Sequence, residues 1–239
     1  MSKKKPQCWA VIPAAGTGSR MGGDLPKQYL EVAGATLLEH SLQALLGTDA
    51  IQSVVVALHS HDDRAATLPV FENARVQTTI GAEQRSGSVL AGLKILLEIA
   101  APDDWVLVHD AARPCLQRED LTRLINTVTA SGTGGILAER IVDTVKQSCA
   151  ESMVTATLDR SQLWRAQTPQ MFRLEELHTA LSQALAEDRD VTDEASAMEM
   201  AGRDVQLVAG ARSNLKVTVV DDLPLAAWYL QPSSGSNGE

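Results

Sequence analysis

Between Pro13 and Lys27 the chain reads P-A-A-G-T-G-S-R-M-G-G-D-L-P-K, a run of small residues holding two cations, Arg20 and Lys27. Small residues such as Ala14, Ala15, Gly16 and Gly18 let backbone N–H groups approach phosphate oxygens without side-chain obstruction. Arg20 offers a two-pronged fork and Lys27 a point charge, the pairing that suits a triphosphate. A dinucleotide fingerprint would need a third glycine where Met21 stands, and a Walker A loop would need Gly-Lys-Ser/Thr, which is absent. The plain alternative is a glycine-rich turn with two solvated cations. A second candidate is Asp110, which follows the apolar run Trp105–His109. At a strand end it would be a hard oxygen ligand for Mg²⁺, or simply a cap of a turn.

These residues need elements to position them. Apolar runs at Cys8–Pro13, Ser53–Leu58, Arg75–Ile80 and Trp105–His109 predict buried strands, with a short strand at Gly135–Ala138. Helical spacing marks Thr36–Leu46, Ser88–Ala100 and Glu119–Ala130, with Thr36 as the cap of the first. The alternation predicts an α/β fold: a doubly wound, mostly parallel, Rossmann-like sheet. Ligands of such sheets sit beyond the carboxyl ends of the strands, where both motifs emerge. From 141 to 163 the pattern changes to period two around a polar tip, which predicts an inserted β-hairpin arm. Helices near Leu174–Leu185, Asp193–Ala201 and Leu223–Leu230 and a strand at Val205–Ala209 complete a single domain over 8–231, with tails at 1–7 and 232–239.

The 239 residues carry a net charge of −9, and aromatics make up 3%. That balance argues against nucleic acid as a partner, because strand binding leaves a basic footprint. No apolar run approaches the roughly 20 residues of a membrane span. Three scattered cysteines and the absence of an apolar stretch after the basic start are expected of a cytoplasmic protein. The segment His59-Ser60-His61-Asp62-Asp63 imitates a metal cluster but lacks a distant further ligand, so Asp62 or Asp63 is expected to cap a helix.

The string A-A-G-x-G-x-R-M…P-K-Q-Y-L resembles the signature of the 2-C-methyl-D-erythritol 4-phosphate cytidylyltransferase family. His109–Pro114, Asp143–Lys146, Asp159-Arg160, Trp164, Gln167–Phe172, Val191–Ser196 and Asn214–Thr218 resemble its later motifs, in family order. The resemblance implies attack of a polyol phosphate on the α-phosphorus of CTP with release of pyrophosphate, aided by Mg²⁺. It implies that Arg20 and Lys27 stabilise the transition state, in a reaction governed by positioning and electrostatics. Ala14, Ala15, Gly81, Ala82, Glu83 and Ser88 are then expected around the base, and Asp110 on the metal. Arg160 and Lys216 would position the acceptor phosphate, with Arg113, Thr144, Thr168 and Thr192 as further contacts to its phosphate or hydroxyls. The arm would cross between the subunits of a homodimer, taking Thr144 and Arg160 into the partner's site. One departure is visible: the family commonly reads G-G-x-x-R-x-x-S where this chain has Gly81-Ala82-Glu83-Gln84-Arg85-Ser86-Gly87-Ser88.

The nearest rival is a ribitol 5-phosphate cytidylyltransferase, which shares the loop. A guanylyltransferase of the molybdenum-cofactor type shares the R-M-G loop but not the later motifs. From another class, a non-catalytic nucleotide-binding protein could keep the fold, although such proteins usually lose the cation or the metal ligand.

Overall fold

The computed structural model describes residues 7–16 and 25–231. Arg20 and Gly18 therefore lie outside the described residues, as do nearly all of the two tails. The elements run β1 (Cys8–Ala14), β2 (Glu31–Val32), β3 (Ala35–Thr36), α1 (Leu37–Leu46), β4 (Ile51–Leu58), β5 (Val76–Ile80), α2 (Arg85–Leu97), β6 (Trp105–Val108) and α3 (Arg118–Ser131). Then follow β7 (Gly135–Arg140), β8 (Lys146–Ser148), β9 (Val154–Thr157), β10 (Trp164–Arg173), α4 (Leu174–Ala186), α5 (Glu194–Met200), β11 (Gln206–Ala209) and α6 (Asp222–Leu230). Seven strands form one sheet in the order β11-β7-β10-β6-β1-β4-β5. All neighbours are parallel except β10, which runs antiparallel to both β6 and β7.

Strand alternation divides the core between the two faces of this sheet. Ile12, Val54, Val56 and Leu107 face α1 and α3 through Leu38, Leu42, Leu45, Leu121, Leu124 and Val128. Val11, Val55, Val106 and Val108 face α2, α4 and α5 through Val89, Leu93, Leu96, Leu177, Leu181 and Met198. Gly92 lets α2 lie close to the sheet, since a Cβ there would come within 2.6 Å of a Val11 methyl. Thr36 caps α1 as expected, in a capping box with Glu39. A third cluster of Val32, Leu37, Ala112, Cys115, Val217 and Ala226 ties the segment around Lys216 to the loop after β6.

Three sequence expectations change. A ten-residue strand, β10, lies where no strand was expected, because its buried Gln167, Thr168 and Gln170 hide the apolar pattern. Its pairing with β7 shifts between Ala166 and Gln170, around the cis Thr168–Pro169 bond. Helix α2 starts at Arg85 and not at Ser88, so the whole Arg85–Ser88 turn belongs to it. The third expected strand is an edge strand whose Ile80 stays 67% exposed.

The arm forms as expected. Arg140 and Trp164 pair across β7 and β10, and the intervening 141–163 leaves and returns at that point. Strands β8 and β9 pair with each other and are almost wholly exposed. Arg160 closes the base of the excursion by donating from Nη1 to the Val142 carbonyl.

Candidate active site

Strand β1 is the branch point of the sheet: β4 follows it on one side, and β6 returns to the other. The crevice beyond the strand ends at such a point is where α/β sheets hold ligands. Ala15 and Gly16 leave β1 there, and His109–Pro114 leave β6. Gln28 pins the start of the glycine loop, its Nε2 donating to the carbonyls of Ala14 at 2.8 Å and Gly16 at 3.2 Å. Gln28 belongs to the short 3-10 turn Lys27–Tyr29, so the same bond holds half-buried Lys27 near the loop. The Lys27 charge reaches Asp222, whose carboxyl is held low mainly by the Thr218 N–H. Leu30 and Val32, just after the Lys27 turn, belong to the cluster with Val217 and Ala226, which brings that turn near the segment that carries Lys216.

The expected base-reading residues also converge on the loop. The Gly81 N–H donates to the Leu58 carbonyl at 2.8 Å, and a Cβ at Gly81 would stand 2.6 Å from the Ala15 Cβ. Only glycine allows that approach. Ser88 is buried, and its Oγ accepts from the Ala82 N–H at 2.9 Å and lies 2.9 Å from the Ala82 carbonyl. Ser88 thus shapes the loop from beneath, while Ala82 and Glu83 are exposed above it.

Asp110 is the centre of charge. Its Oδ1 accepts from Arg85 Nε at 3.0 Å, and its Oδ2 faces Lys216 Nζ at 2.9 Å and Arg113 Nε at 3.6 Å. Burial alone would push this carboxyl up, but the Arg85, Lys216 and Arg113 cations outweigh it and hold it well below the usual carboxylate range. Behind it, the Thr168 hydroxyl accepts the Asp110 N–H at 3.0 Å and meets His109 Nδ1 at 2.9 Å. His109 Nε2 lies 3.1 Å from the Arg113 carbonyl, which can only accept, so the imidazole proton sits on Nε2 and Nδ1 accepts from Thr168. Burial pushes the His109 pKa down to about 4, with Asp110 opposing.

This arrangement sorts the expected acceptor ligands. Thr168 is 4% exposed and holds the Asp110 backbone instead of offering a hydroxyl to solvent. Arg113 is similarly buried and spends Nη1 on the Asn214 carbonyl at 2.7 Å and Nη2 on that of Ala166 at 3.3 Å. Lys216 keeps its Nζ on Asp110 but leaves its side chain 40% exposed. Thr192 is exposed beside the start of α5. Thr144 and Arg160 are exposed on the arm, and among the described residues no hydrogen bond or ion pair ties them to Asp110.

Asp110 does not fit the role of a sole Mg²⁺ ligand. A dication there would have to share two oxygens with three cations already in place. Among the described residues no group of three or more His, Cys, Asp or Glu side chains could hold a metal either. The His59–Asp63 segment is accordingly a polar loop: Asp62 accepts the N–H groups of Arg64 and Ala65 and the Tyr29 hydroxyl.

The 2-C-methyl-D-erythritol 4-phosphate cytidylyltransferase family model matches residues 8–232. The chain belongs to that family. The cytidylyltransferase of Mannheimia succiniciproducens is 50% identical over 221 residues, covering 92% of this chain and 95% of its own. That of Pseudomonas putida is 50% identical over 231 residues, covering 96% and 97%. The crystal structure of the Francisella tularensis cytidylyltransferase is 35% identical, covers 94% of this chain and 100% of its own, and superposes with a TM-score of 0.81. The chain is thus a nucleotidyltransferase, and its sheet is the cytidylyltransferase fold with a single antiparallel strand.

Sequence reasoning passed over three residues of this cytidylyltransferase site: Gln28, Arg85 and Glu194. Arg85 reaches Glu194 across 109 positions, with Nη1–Oε1 at 2.7 Å and Nη2–Oε2 at 3.1 Å. Both stand inside quoted motifs, but nothing in the local spacing joins them.

Proposed function

We propose that this site transfers CMP from CTP to 2-C-methyl-D-erythritol 4-phosphate, giving 4-diphosphocytidyl-2-C-methyl-D-erythritol and pyrophosphate. The observation that carries the reading is the convergence of the Ala15–Gly16 loop, Lys27 and the Asp110–Lys216 cluster beyond the ends of β1 and β6. Backbone at Ala14, Ala15, Gly81 and Ala82 binds the nucleotide. Lys27, with Arg20, takes up charge on the α-phosphate oxygens and on the departing pyrophosphate. Lys216 holds the acceptor phosphate, a dianion that attacks without a side-chain nucleophile. Asp110 neutralises and aims Lys216, and the Mg²⁺ requirement resides in the metal–triphosphate complex outside the protein's carboxylates.

The exposed arm supports a homodimer in which Thr144 and Arg160 complete the partner's site. A hairpin with Val142, Met153 and Val154 all more than half exposed is poorly served by water alone. No described helix is long and apolar enough to cross a membrane. The test is pyrophosphate release from CTP with methylerythritol phosphate and ribitol 5-phosphate in parallel, each with Mg²⁺ or EDTA. The reading expects Mg²⁺-dependent release with the first acceptor. Release with the ribitol ester alone would assign the chain to the sister activity.

A further inference from the structure

Arg85 has no part in the roles given above, yet it spans the two halves of the site. It opens α2, directly after the loop that carries Ala82 and Glu83. Two of its guanidinium nitrogens grip Glu194, and the third, Nε, donates to Asp110. Glu194 is fully buried and has no freedom to follow a moving partner. Its neighbours are clamped by Gln170 on β10, which donates to the Asp193 carboxylate at 2.9 Å and accepts the Ala195 N–H at 2.8 Å. Asp110 in turn takes Lys216 on its other oxygen.

An unbroken chain therefore runs Glu194–Arg85–Asp110–Lys216, with its ion-pair links at 2.7, 3.0 and 2.9 Å. The acids at Glu194 and Asp110 are 0% and 9% exposed, while the Arg85 and Lys216 side chains are 29% and 40% exposed. Geometry gives this chain direction. A guanidinium is a rigid plane, so two prongs fixed on Glu194 also fix where Nε points. Because Glu194 cannot follow, a shift of the α2 N-terminus pulls the guanidinium out of register with Glu194 and so disturbs the Nε contact that places Asp110 and Lys216.

We infer that Arg85 is a positioning residue that couples nucleotide binding to acceptor binding. A cytosine seated on the Gly81–Glu83 loop sets Arg85, and Arg85 sets Lys216 for the acceptor's phosphate through Asp110. The inference rests on the function proposed above. Such coupling is reciprocal: the acceptor tightens the nucleotide by the factor with which the nucleotide tightens the acceptor.

The test measures binding of α,β-methylene CTP, which cannot release pyrophosphate, with Mg²⁺ and with or without saturating methylerythritol phosphate. In the wild type, the acceptor tightens the analogue by at least about fivefold. In Arg85→Lys, which keeps a charge but loses the fork, that ratio falls to about one while the analogue alone binds within about twofold of wild type. A merely structural role would lower the melting temperature and leave the ratio intact. A wild-type ratio of one, or a wild-type-like ratio in folded Arg85→Lys, overturns the inference. Should Arg85→Lys not fold, the isosteric Glu194→Gln is judged by the same ratio. Wild-type turnover is measured alongside: turnover without coupling sinks the coupling alone, whereas no turnover sinks the proposed function.

Discussion

The hydroxyl of Thr168 on β10 meets His109 Nδ1 at 2.9 Å while accepting the Asp110 N–H at 3.0 Å, so one side chain fixes the two successive residues that begin the loop after β6. His109 is fully buried and its pKa is pushed down from 6.5 to about 4. Between those values the unfolded chain binds a proton that the folded chain does not. Stability is therefore full above pH 6.5 and falls as the pH drops towards 4. The loss attributable to His109 is roughly 3 kcal/mol. Urea titrations across this range will show a shallower fall for His109→Gln than for the wild type; parallel curves would refute the assignment.

Asp110→Asn separates charge neutralisation from metal binding. It leaves three cations without their shared carboxylate, at a cost on the order of 3–5 kcal/mol for breaking a buried pair. The expected outcome is a lowered melting temperature with an unchanged midpoint for Mg²⁺ activation. A large rise in that midpoint would restore Asp110 as a metal ligand.

Ala82 and Gly87 are complementary. A Cβ at position 87 would lie 2.8 Å from the Ala82 Cβ, so the methyl at 82 is accommodated by the absence of one opposite. Gly87→Ala is expected to weaken CTP binding about tenfold, although alanine is the better helix former by about 1 kcal/mol. Adding Ala82→Gly should restore it, giving an interaction energy of roughly 1 kcal/mol or more. Strictly additive effects would show that the two positions do not touch.

Much of this fold is legible because its signals are local. The unbroken apolar run around Val54–Val56 marks a buried strand, and Thr36 before the periodic leucines of α1 marks a helix start. Strand β10 was not legible, because its buried positions are filled by Gln167, Thr168 and Gln170, which satisfy Ala211, His109 and Ala195 from distant parts of the chain. Glu39 is a smaller case. A charged side chain in the first turn of α1, it is nevertheless only 9% exposed, because its carboxylate accepts from the Thr36 N–H and hydroxyl. At the site, Asp110 was found from its place after an apolar run. Arg113 and Lys216 were expected at the site too, but as acceptor contacts; their pairing with Asp110 alongside Arg85 was not legible, since the three meet only when α2, the β6 loop and the segment after β11 are folded together.

The dimer proposal makes a complementation prediction. Lys27→Ala should lower turnover by about a hundredfold or more without unfolding the protein, and Arg160→Ala should do so through the partner's site. Mixed and re-equilibrated, the two variants should recover about a quarter of wild-type activity, because half the dimers then hold one intact composite site. No recovery would place Arg160 in the site of its own chain, or outside any site.

The central claim is transfer of a cytidylyl group to a polyol phosphate, and ³¹P NMR of a completed reaction tests it most directly. With CTP, Mg²⁺ and 2-C-methyl-D-erythritol 4-phosphate, the acceptor's singlet should vanish. Two coupled diphosphate doublets and the pyrophosphate signal should take its place in equal amounts. CTP consumed to CMP and pyrophosphate beside an unchanged acceptor singlet would contradict the account.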